Sequence, residues 1–406
     1  MRTLLLMVVA ILQFSFVYAE TGHDAWLRYA PLSDAARAGY SSLPACVVAF
    51  GESAIINNAR QEMIRGVRGM LGRALRVEKE LPKEPAIVLG TSASLKNIVS
   101  GLTRQGVGED GFGIRRISRH IVIFSNSDRG VLYGAFAFLN KIAREQSIEI
   151  LNEVQQPYAP IRWVDQWDNL NGTIERGYGG PSIFFEKDNV RADLSRVSEY
   201  GRLLASVGIF GCTINNVNAN PRVIQDEFLP QLARVADAFR PWGVQLGVSV
   251  DLSSPQKIGG LATFDPLDPQ VVEWWQKRIA AIYQAIPDFG GITVKADSEG
   301  RLGPSFYGRT PADAANMLAR ALKPHGGILF YRAFVYDHNL DWRNLKNDRA
   351  RAAYDIFHPL DGKFDNNVII QIKHGPVDFQ AREPVSPIFG GLQKSNAAVE
   401  LPVMQE

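Results

Sequence analysis

The feature that most restricts the fold is a regular alternation of apolar segments, polar residues and amphipathic segments, which begins at about Ile161. The apolar segments predict six strands, at 161–165, 212–216, 244–251, 291–296, 327–332 and 367–373. Segments of helical periodicity lie between them, for example at 193–206, 229–239, 271–285 and 311–322. Repeated strand–helix units imply parallel strands joined by right-handed crossovers. This part of the chain is therefore predicted to be an α/β domain.

Each predicted strand ends in side chains that can bind ligands or transfer protons. These are Asp165, Asn215, Asp251, Asp297 with Glu299, Arg332, and Lys373. Six such ends in succession are typical of a (β/α)8 barrel of the TIM type, whose active site lies on the carboxyl ends of its strands. A doubly wound open sheet is the structural alternative, but the glycine-rich phosphate loop of that fold is missing from the sequence.

The predicted barrel is incomplete at its C-terminal side. Six strands are recognised before the sequence stops at Glu406, and a barrel of eight needs two more strand–helix units to close and to cover its edges. The sequence is therefore expected to be a shortened copy of a longer protein.

Two further regions precede the barrel, which is expected to occupy residues 156–406. Residues 1–19 have the pattern of a signal peptide, because Arg2 is followed by a mainly apolar segment and by small residues that end at Ala19. The mature protein is therefore expected to be secreted or periplasmic. Residues 20–155 predict an N-terminal α/β domain with strands at 46–50 and 86–90, a hairpin at 111–124, and helices at 57–75 and 128–144.

Charge and composition exclude several kinds of partner. A net charge of +2 without a run of Lys or Arg argues against nucleic-acid binding. Beyond the N-terminal segment, no stretch approaches the ~20 apolar residues of a membrane span. Cys46 and Cys212 are far apart and are interpreted as small buried residues. The six histidines show no ligand spacing, so neither a metal nor an organic cofactor is expected.

The segment 290–300 carries the most chemical information. It predicts a short buried strand that ends in Lys295, Asp297 and Glu299. Burial and a neighbouring cation shift the pKa of a carboxylic acid in opposite directions, which is how proton donors and acceptors are tuned near neutral pH. A solvated loop with an ordinary ion pair is the alternative interpretation.

Five long motifs are together specific for one protein family. They lie at 162–178, 212–221, 295–300 (Lys-Ala-Asp-Ser-Glu-Gly), 359–365 and 371–380 (Gln-Ile-Lys-His-Gly-Pro-Val-Asp-Phe-Gln). In this order they resemble the α-glucuronidases of glycoside hydrolase family 67, and the resemblance extends from about Asp24 to the last residue. Several long motifs in order are far more specific than a lone short pattern.

The resemblance implies an inverting glycoside hydrolase that removes 4-O-methyl-D-glucuronic acid, linked α-1,2, from the non-reducing-end xylose of xylo-oligosaccharides. It also implies an N-terminal α/β domain, a (β/α)8 barrel and a mainly helical C-terminal domain, the last of which has no counterpart in this sequence. The expected partners are oligosaccharides derived from glucuronoxylan, and a homodimer of the full-length protein stays open.

The resemblance also assigns the catalytic carboxyl groups. Glu299 matches the family's general acid, which protonates the departing xylose oxygen, and Asp378 matches one of two carboxylates that activate water. The second is mapped onto Glu406 through Gln405, which is a partial match. An inverting reaction needs the acid and the base roughly 6.5–9.5 Å apart, with the acid desolvated so that its pKa rises. Without the resemblance, a turn-capping role of Asp378 would be favoured.

The remaining assignments concern substrate binding. Lys295, Arg332 and Lys373 match positions that hold the uronate carboxylate, which Arg332 can bind through two parallel hydrogen bonds. The alternative for these cations is a salt bridge to Asp165 or Asp297. Two further residues, Trp167 and Val217, match those around the sugar and its 4-O-methyl group, and a core position is the alternative for the tryptophan.

Two other functions stay open at this point. The first is a catalytically inactive fragment that only binds uronic-acid sugars. The second is another carbohydrate-active barrel of the hexosaminidase type. The three cations disfavour the second, because a neutral amino sugar gives them nothing to bind.

Overall fold

A computed structural model describes residues 27–100, 107–333, 343–344, 349–375 and 384–402. The chain divides into two compact units, one that extends to Gln156 and one that begins at Pro157, apart from the short exchange of Ser53–Ile55. In the described ranges, no helix is both long enough and apolar enough to cross a membrane.

The first unit contains a six-stranded mixed sheet with helices. Its elements are α1 (Asp34–Ala38), β1 (Cys46–Phe50), α2 (Ala54–Leu71), β2 (Arg76–Glu78), β3 (Ala86–Thr91), β4 (Phe112–Ile117), β5 (His120–Ser125), α3 (Asp128–Ala143) and β6 (Asn152–Gln155). The strand order is β2-β1-β3-β5-β4-β6, and β4 and β5 form the predicted antiparallel hairpin. The sequence did not predict β2 and β6, because both are short, polar and largely exposed.

The second unit is built on a parallel sheet of seven strands within the described residues. Its elements are β7 (Trp163–Asp165), β8 (Phe185–Glu186), β9 (Asn189–Val190), α4 (Ser195–Ser206), β10 (Gly211–Ile214), α5 (Leu229–Phe239), β11 (Gln245–Val250), α6 (Ser254–Lys257), α7 (Pro269–Ala285), β12 (Gly291–Val294), α8 (Pro311–Leu322), β13 (Ile328–Arg332), α9 (Arg349–Phe357), β14 (Val368–Lys373), α10 (Ile388–Gly391) and β15 (Ala397–Glu400). The order is β15-β14-β13-β12-β11-β10-β7, and every neighbouring pair is parallel.

The six predicted strands of this sheet are confirmed, and a seventh, β15, was not predicted. β15 consists of Ala397-Ala-Val-Glu400 and pairs with β14, and its residues alternate between exposed and half-buried. The loop before it is held by Asp361, whose carboxylate accepts hydrogen bonds from the backbone N–H groups of Gln393, Lys394 and Ser395. These bonds hold the pKa of Asp361 down at about 2.

The sheet is curled, as in a TIM-type barrel. β7 and β14 are five positions apart in the strand order, so a flat sheet would separate them by about 24 Å. In the structure, the side chains of Asp165 on β7 and Gln371 on β14 approach to 3.5 Å. The ring of Trp163 lies 5.2 Å from that of Phe330 on β13 in the concave interior. This curvature confirms the predicted fold class, and it gathers the carboxyl ends of distant strands.

The α8 segment illustrates why local sequence predicts the helices well. Thr310 caps the helix by accepting a hydrogen bond from the backbone of Asp313, whose carboxylate accepts one from the backbone of Thr310 in return. Pro311 at the first helical position supplies a fixed φ and lacks an N–H that would otherwise be unsatisfied. Cys46 and Cys212, interpreted from the sequence as buried, are both buried.

Close packing between β12 and β13 leads to a first prediction. A Cβ atom at Gly291 would lie 2.1 Å from the carbonyl oxygen of Ile328, so Gly291→Ala must separate two strands of the sheet. We expect the free energy of unfolding to fall by about 1–3 kcal/mol, measured by urea denaturation. Gly390→Ala is the control, because no atom lies within 4 Å of its added Cβ. Equal stability of the two variants would contradict the packing argument.

Candidate active site

The loop that follows β12 carries Glu299 and is fastened at several points. Arg301 donates a hydrogen bond to Asp251 at 3.1 Å and another to the backbone oxygen of Asn218. Asp297 accepts hydrogen bonds from the backbone and the hydroxyl group of Ser305. Asp251, which follows β11, also forms an ion pair with Lys257 at 2.7 Å. Its carboxylate therefore holds the loops at this edge in place.

Three non-glycine residues at this edge of the sheet have left-handed backbone. Asn215, Asp297 and Glu299 have φ angles of 73°, 52° and 50°. Left-handed backbone at a non-glycine residue costs about 1 kcal/mol or more and persists only where the surroundings impose it. Strain at the ends of β10 and β12 is therefore a reason to look for function there.

Lys295 and Glu299 form an ion pair at the centre of the site. Lys295 is 4% exposed, and its Nζ donates hydrogen bonds to Glu299 Oε2 and, at 2.9 Å, to Asn218 Oδ1. The side chain of Glu299 is 32% exposed, so solvent reaches the carboxylate more readily than the ammonium group. A second cation, Arg176, lies 3.6 Å from the other oxygen of Glu299.

The electrostatic balance on Glu299 differs from the prediction. Burial alone would raise the pKa of Glu299, but the hydrogen bond and charge of Lys295, followed by the charges of Arg176 and Arg332, outweigh it. The pKa of Glu299 therefore lies below its usual value. The sequence-based expectation of a raised pKa is wrong for this structure, although burial does act in that direction. The sequence showed that Lys295 lies four residues before Glu299. It could not show that Arg176 reaches the same carboxylate.

Removing Arg176 should therefore shift the titration of Glu299. We expect Arg176→Gln to raise the pKa of Glu299, because one of the charges that lower it is lost. The measurement is a pH titration followed by carboxyl 13C NMR. Arg176 is largely exposed, so added salt should reduce the difference between variant and parent. Arg191→Gln is the control, since Arg191 pairs with Glu186, and an equal shift in both variants would refute the contact.

The second buried cation, Arg332, is also paired with a carboxylate. Its Nε donates to Glu400 Oε2 at 2.8 Å, and its Nη2 donates to Oε1 of the same carboxylate. The guanidinium group lies over the ring of Trp167, 5.0 Å from the ring centre. The sequence alternatives for Arg332 named Asp165 and Asp297, and the structure adds an ion pair with Glu400 that the sequence did not suggest. The sequence does contain a signal for Glu400. This residue ends a short apolar segment, as the polar residues at the ends of the six predicted strands do.

Asp165 lies beside this pair and has an unusual pKa. The pKa of its carboxyl group is raised to about 7, because burial, together with the charge of Glu400, outweighs the opposing charge of Arg332. Gln371 contacts both acids, since its Nε2 donates to Glu400 at 2.7 Å and approaches Asp165 at 3.5 Å. Near neutral pH, Asp165 is therefore divided between its charged and neutral forms.

A cavity of about 440 Å³ opens against β7 and β15, within the usual range for small-molecule sites. Its polar lining comprises Asp165, Gln166, Trp167, Glu175, Tyr178, Gln371 and Glu400. The Lys295–Glu299 pair does not line it, but Glu175 links the two regions. One oxygen of Glu175 accepts from Asn216 at 3.3 Å, and the other lies 3.3 Å from Arg176.

The remaining predicted site residues divide into two groups. Lys373 at the end of β14 and Val217 after β10 are both buried at the carboxyl edge, and Val217 directly precedes Asn218, which binds Lys295. Asp378 and Glu406 lie outside the described residues, and their roles remain predictions. Within the described part of the chain, no three His, Cys, Asp or Glu side chains are arranged to hold a metal ion.

A curled parallel sheet with a carboxyl group, three buried cations and a tryptophan at its carboxyl edge has the arrangement in which TIM-type barrels build their ligand sites. Comparison with known families is specific. The glycosyl hydrolase family 67 middle domain matches residues 141–406, and the family 67 N-terminus matches residues 25–138. The chain therefore belongs to glycosyl hydrolase family 67, which confirms the resemblance found in the sequence.

Curated relatives carry names that agree with this family. The chain is 46% identical over 421 residues to the alpha-glucuronidase of Hypocrea jecorina, and 46% identical over 424 residues to alpha-glucuronidase A of Emericella nidulans. Each match covers 100% of this chain and 49% of the relative. The chain thus spans about half the length of the curated relatives that it matches.

Solved structures of low sequence identity share the fold. A family GH115 4-O-methyl-alpha-glucuronidase has a TM-score of 0.54 at 10% identity, over 88% of this chain and 54% of that protein. CpGH84D has a TM-score of 0.50 at 10% identity, over 81% of this chain and 52% of that protein. At such identities the likeness concerns the fold alone.

Proposed function

We propose that this protein is an inverting α-glucuronidase, which removes α-1,2-linked (4-O-methyl)-D-glucuronic acid from xylan-derived oligosaccharides. The observation that carries the proposal is the pair of buried cations, Lys295 and Arg332, beside Glu299 at the carboxyl edge of the sheet. Buried cations are costly unless anions neutralise them. Glu299 and Glu400 do so in the free chain, and a uronic acid brings an anion that can replace them. The identity to proteins named alpha-glucuronidase supports the same assignment.

The proposed binding mode follows from the chemistry of the two cations. Arg332 presents a planar guanidinium group that can hold a carboxylate through two parallel hydrogen bonds, whereas Lys295 acts as a compact charge. We assign Lys373 to the same carboxylate, and Trp167 and Val217 to the sugar ring and its 4-O-methyl group. All five residues lie at the carboxyl ends of strands or in the loops that follow them.

The proposed reaction is acid–base hydrolysis. Glu299 in its protonated form gives a proton to the glycosidic oxygen as the bond from that oxygen to the anomeric carbon breaks. A carboxylate on the opposite face, assigned to Asp378 and Glu406, takes a proton from the attacking water. The water oxygen forms the new bond to the anomeric carbon, so the configuration inverts.

The test is to mix the purified chain with a 4-O-methylglucuronosyl xylotriose and to follow the anomeric protons by NMR. Release of 4-O-methylglucuronic acid, first as the β-anomer, would support the proposal, and the α-anomer first would exclude inversion. A folded chain that binds the sugar without releasing it would support the alternative of a binding protein.

We also propose that the protein acts outside the cytoplasm. The support is the signal-like pattern of residues 1–19, which lie outside the described ranges. N-terminal sequencing of protein expressed with this segment should find a mature chain that begins at Glu20. Retention of Met1 in all of the expressed protein would contradict this proposal.

A further inference from the structure

Two of the three buried cations assigned to the substrate, Lys295 and Arg332, are already paired with carboxylates of the chain itself. Lys295 holds Glu299, and Arg332 holds Glu400. The first pair differs from the second in one respect that matters for chemistry, because Glu299 is also the residue assigned as the proton donor. A carboxylate that is bound to an ammonium group is held in its ionised form, which is the wrong form for a general acid.

The geometry of the Lys295 pair makes competition with a ligand direct. Lys295 has three N–H donors, and Asn218 and Glu299 accept hydrogen bonds from it. The ammonium side chain is 2% exposed, whereas that of Glu299 is 32% exposed. Glu299 is therefore the more exposed member of the pair, and a ligand carboxylate that approaches Lys295 from solvent competes with Glu299 for the ammonium group.

We propose that the carboxylate of an incoming uronic acid displaces Glu299 from Lys295, and that Glu299 takes up a proton from solvent as it leaves the ion pair. This inference rests on the proposed function, since it requires Lys295 to bind the uronate. The exchange is balanced in charge, because one anion enters the site together with one proton. The ligand itself then produces the protonated form of Glu299 that can donate to the glycosidic oxygen.

The charges around the pair agree with this direction. Lys295 from the end of β12, Arg176 from the loop after β7 and Arg332 from β13 all lower the pKa of Glu299, against the effect of burial. Among the described residues, Glu299 and Glu175 are the carboxylates whose charges raise the pKa of Lys295, against the effect of burial. A bound uronate would take the hydrogen bond of Lys295 and add a negative charge beside Glu299. Burial and repulsion would then dominate, and the pKa of Glu299 would rise.

A neutral sugar cannot cause the exchange, since it brings no anion to Lys295. The inference thus ties the proton donor to the recognition of the substrate's charge. A glucoside that fits the pocket would bind beside an ionised Glu299 and would be hydrolysed slowly for that reason, in addition to its weaker binding.

Proton uptake on binding is the direct test. Isothermal titration calorimetry in buffers of different ionisation enthalpy would compare D-glucuronic acid with the neutral D-glucuronamide, between about pH 5 and pH 7. We expect uptake of up to about one proton with the acid and none with the amide. Glu299→Gln should still bind the acid, without the uptake. Glu273→Gln is the matched control, because Glu273 forms the same type of pair with Lys277 on the surface of α7 and should leave the uptake unchanged.

Each other outcome would overturn the inference in a recognisable way. Binding of glucuronic acid without proton uptake would refute the exchange and leave the proposed function intact. Uptake that persists in Glu299→Gln would assign the proton to another group, such as Asp165. Failure of glucuronic acid to bind would overturn both the exchange and the role of Lys295. If Glu299→Gln does not fold, carboxyl 13C NMR of the unmodified protein must show Glu299 becoming protonated on binding, and an ionised Glu299 in the complex would refute the exchange.

Discussion

Glu299→Gln should lower kcat for a 4-O-methylglucuronosyl xylo-oligosaccharide by about 10²–10⁴-fold, the usual contribution of a general acid. Glutamine keeps the size of the side chain but has no proton to give to the xylose oxygen. Binding of glucuronic acid should persist, because Lys295 and Arg332 are unchanged. The measurement is steady-state kinetics on the natural linkage, with Kd obtained separately by calorimetry.

An aryl glucuronide provides the internal control for this result. Its leaving group needs little protonation, so Glu299→Gln should impair its hydrolysis much less than that of the xylo-oligosaccharide. Glu273→Gln should be fully active on both substrates, since Glu273 lies on the exposed surface of α7. Equal losses on the two substrates would remove Glu299 from the role of proton donor.

Arg332→Met should destabilise the protein by about 3–5 kcal/mol, because it leaves the carboxylate of Glu400 buried without its cation. Arg332 is 2% exposed and the side chain of Glu400 9%, so solvent can screen little of this loss. Urea denaturation measures the effect. The double variant Arg332→Met with Glu400→Gln should recover most of the stability, since the uncompensated charge is gone.

Arg320→Met is the matched control for this comparison. Arg320 pairs with Asp365 at 2.9 Å but is 65% exposed, so its loss should cost at most about 1 kcal/mol. In ligand binding, the double variant should lose affinity for glucuronic acid more than for glucuronamide. Equal losses for the two ligands would show that Arg332 does not bind the carboxylate.

The sequence predicted elements whose signals are local. Thr310 to Asp313 contains a complete capping box, so the start of α8 could be placed correctly from the sequence. Strands β10 to β14 are buried on both faces and stand out as apolar runs. By contrast, β15 is short and half exposed, and it is defined by its pairing with β14 rather than by its composition.

The sequence predicted which residues form the candidate site, but not which of them pair with each other. Lys295 and Glu299 are four residues apart, so the sequence could raise their ion pair as an alternative. Glu400 is 68 residues from Arg332, and the two meet because β13 and β15 both pair with β14. The predicted direction of the pKa shift of Glu299 was wrong because the hydrogen bond and charge of Lys295, followed by the charges of Arg176 and Arg332, outweigh burial. The sequence could not show the contact with Arg176, which lies in the loop after β7.

The prior pairing of Lys295 and Arg332 also bears on which anions can bind these two cations in the free protein. Inorganic chloride or phosphate would have to expel a carboxylate that is tethered to the same chain, and therefore competes at a high effective concentration. A sugar acid can compensate for this expulsion with contacts along its ring, whereas a small ion cannot. The paired site therefore resists occupation by the abundant salts of its surroundings while it stays accessible to a carboxylate that is attached to the correct sugar.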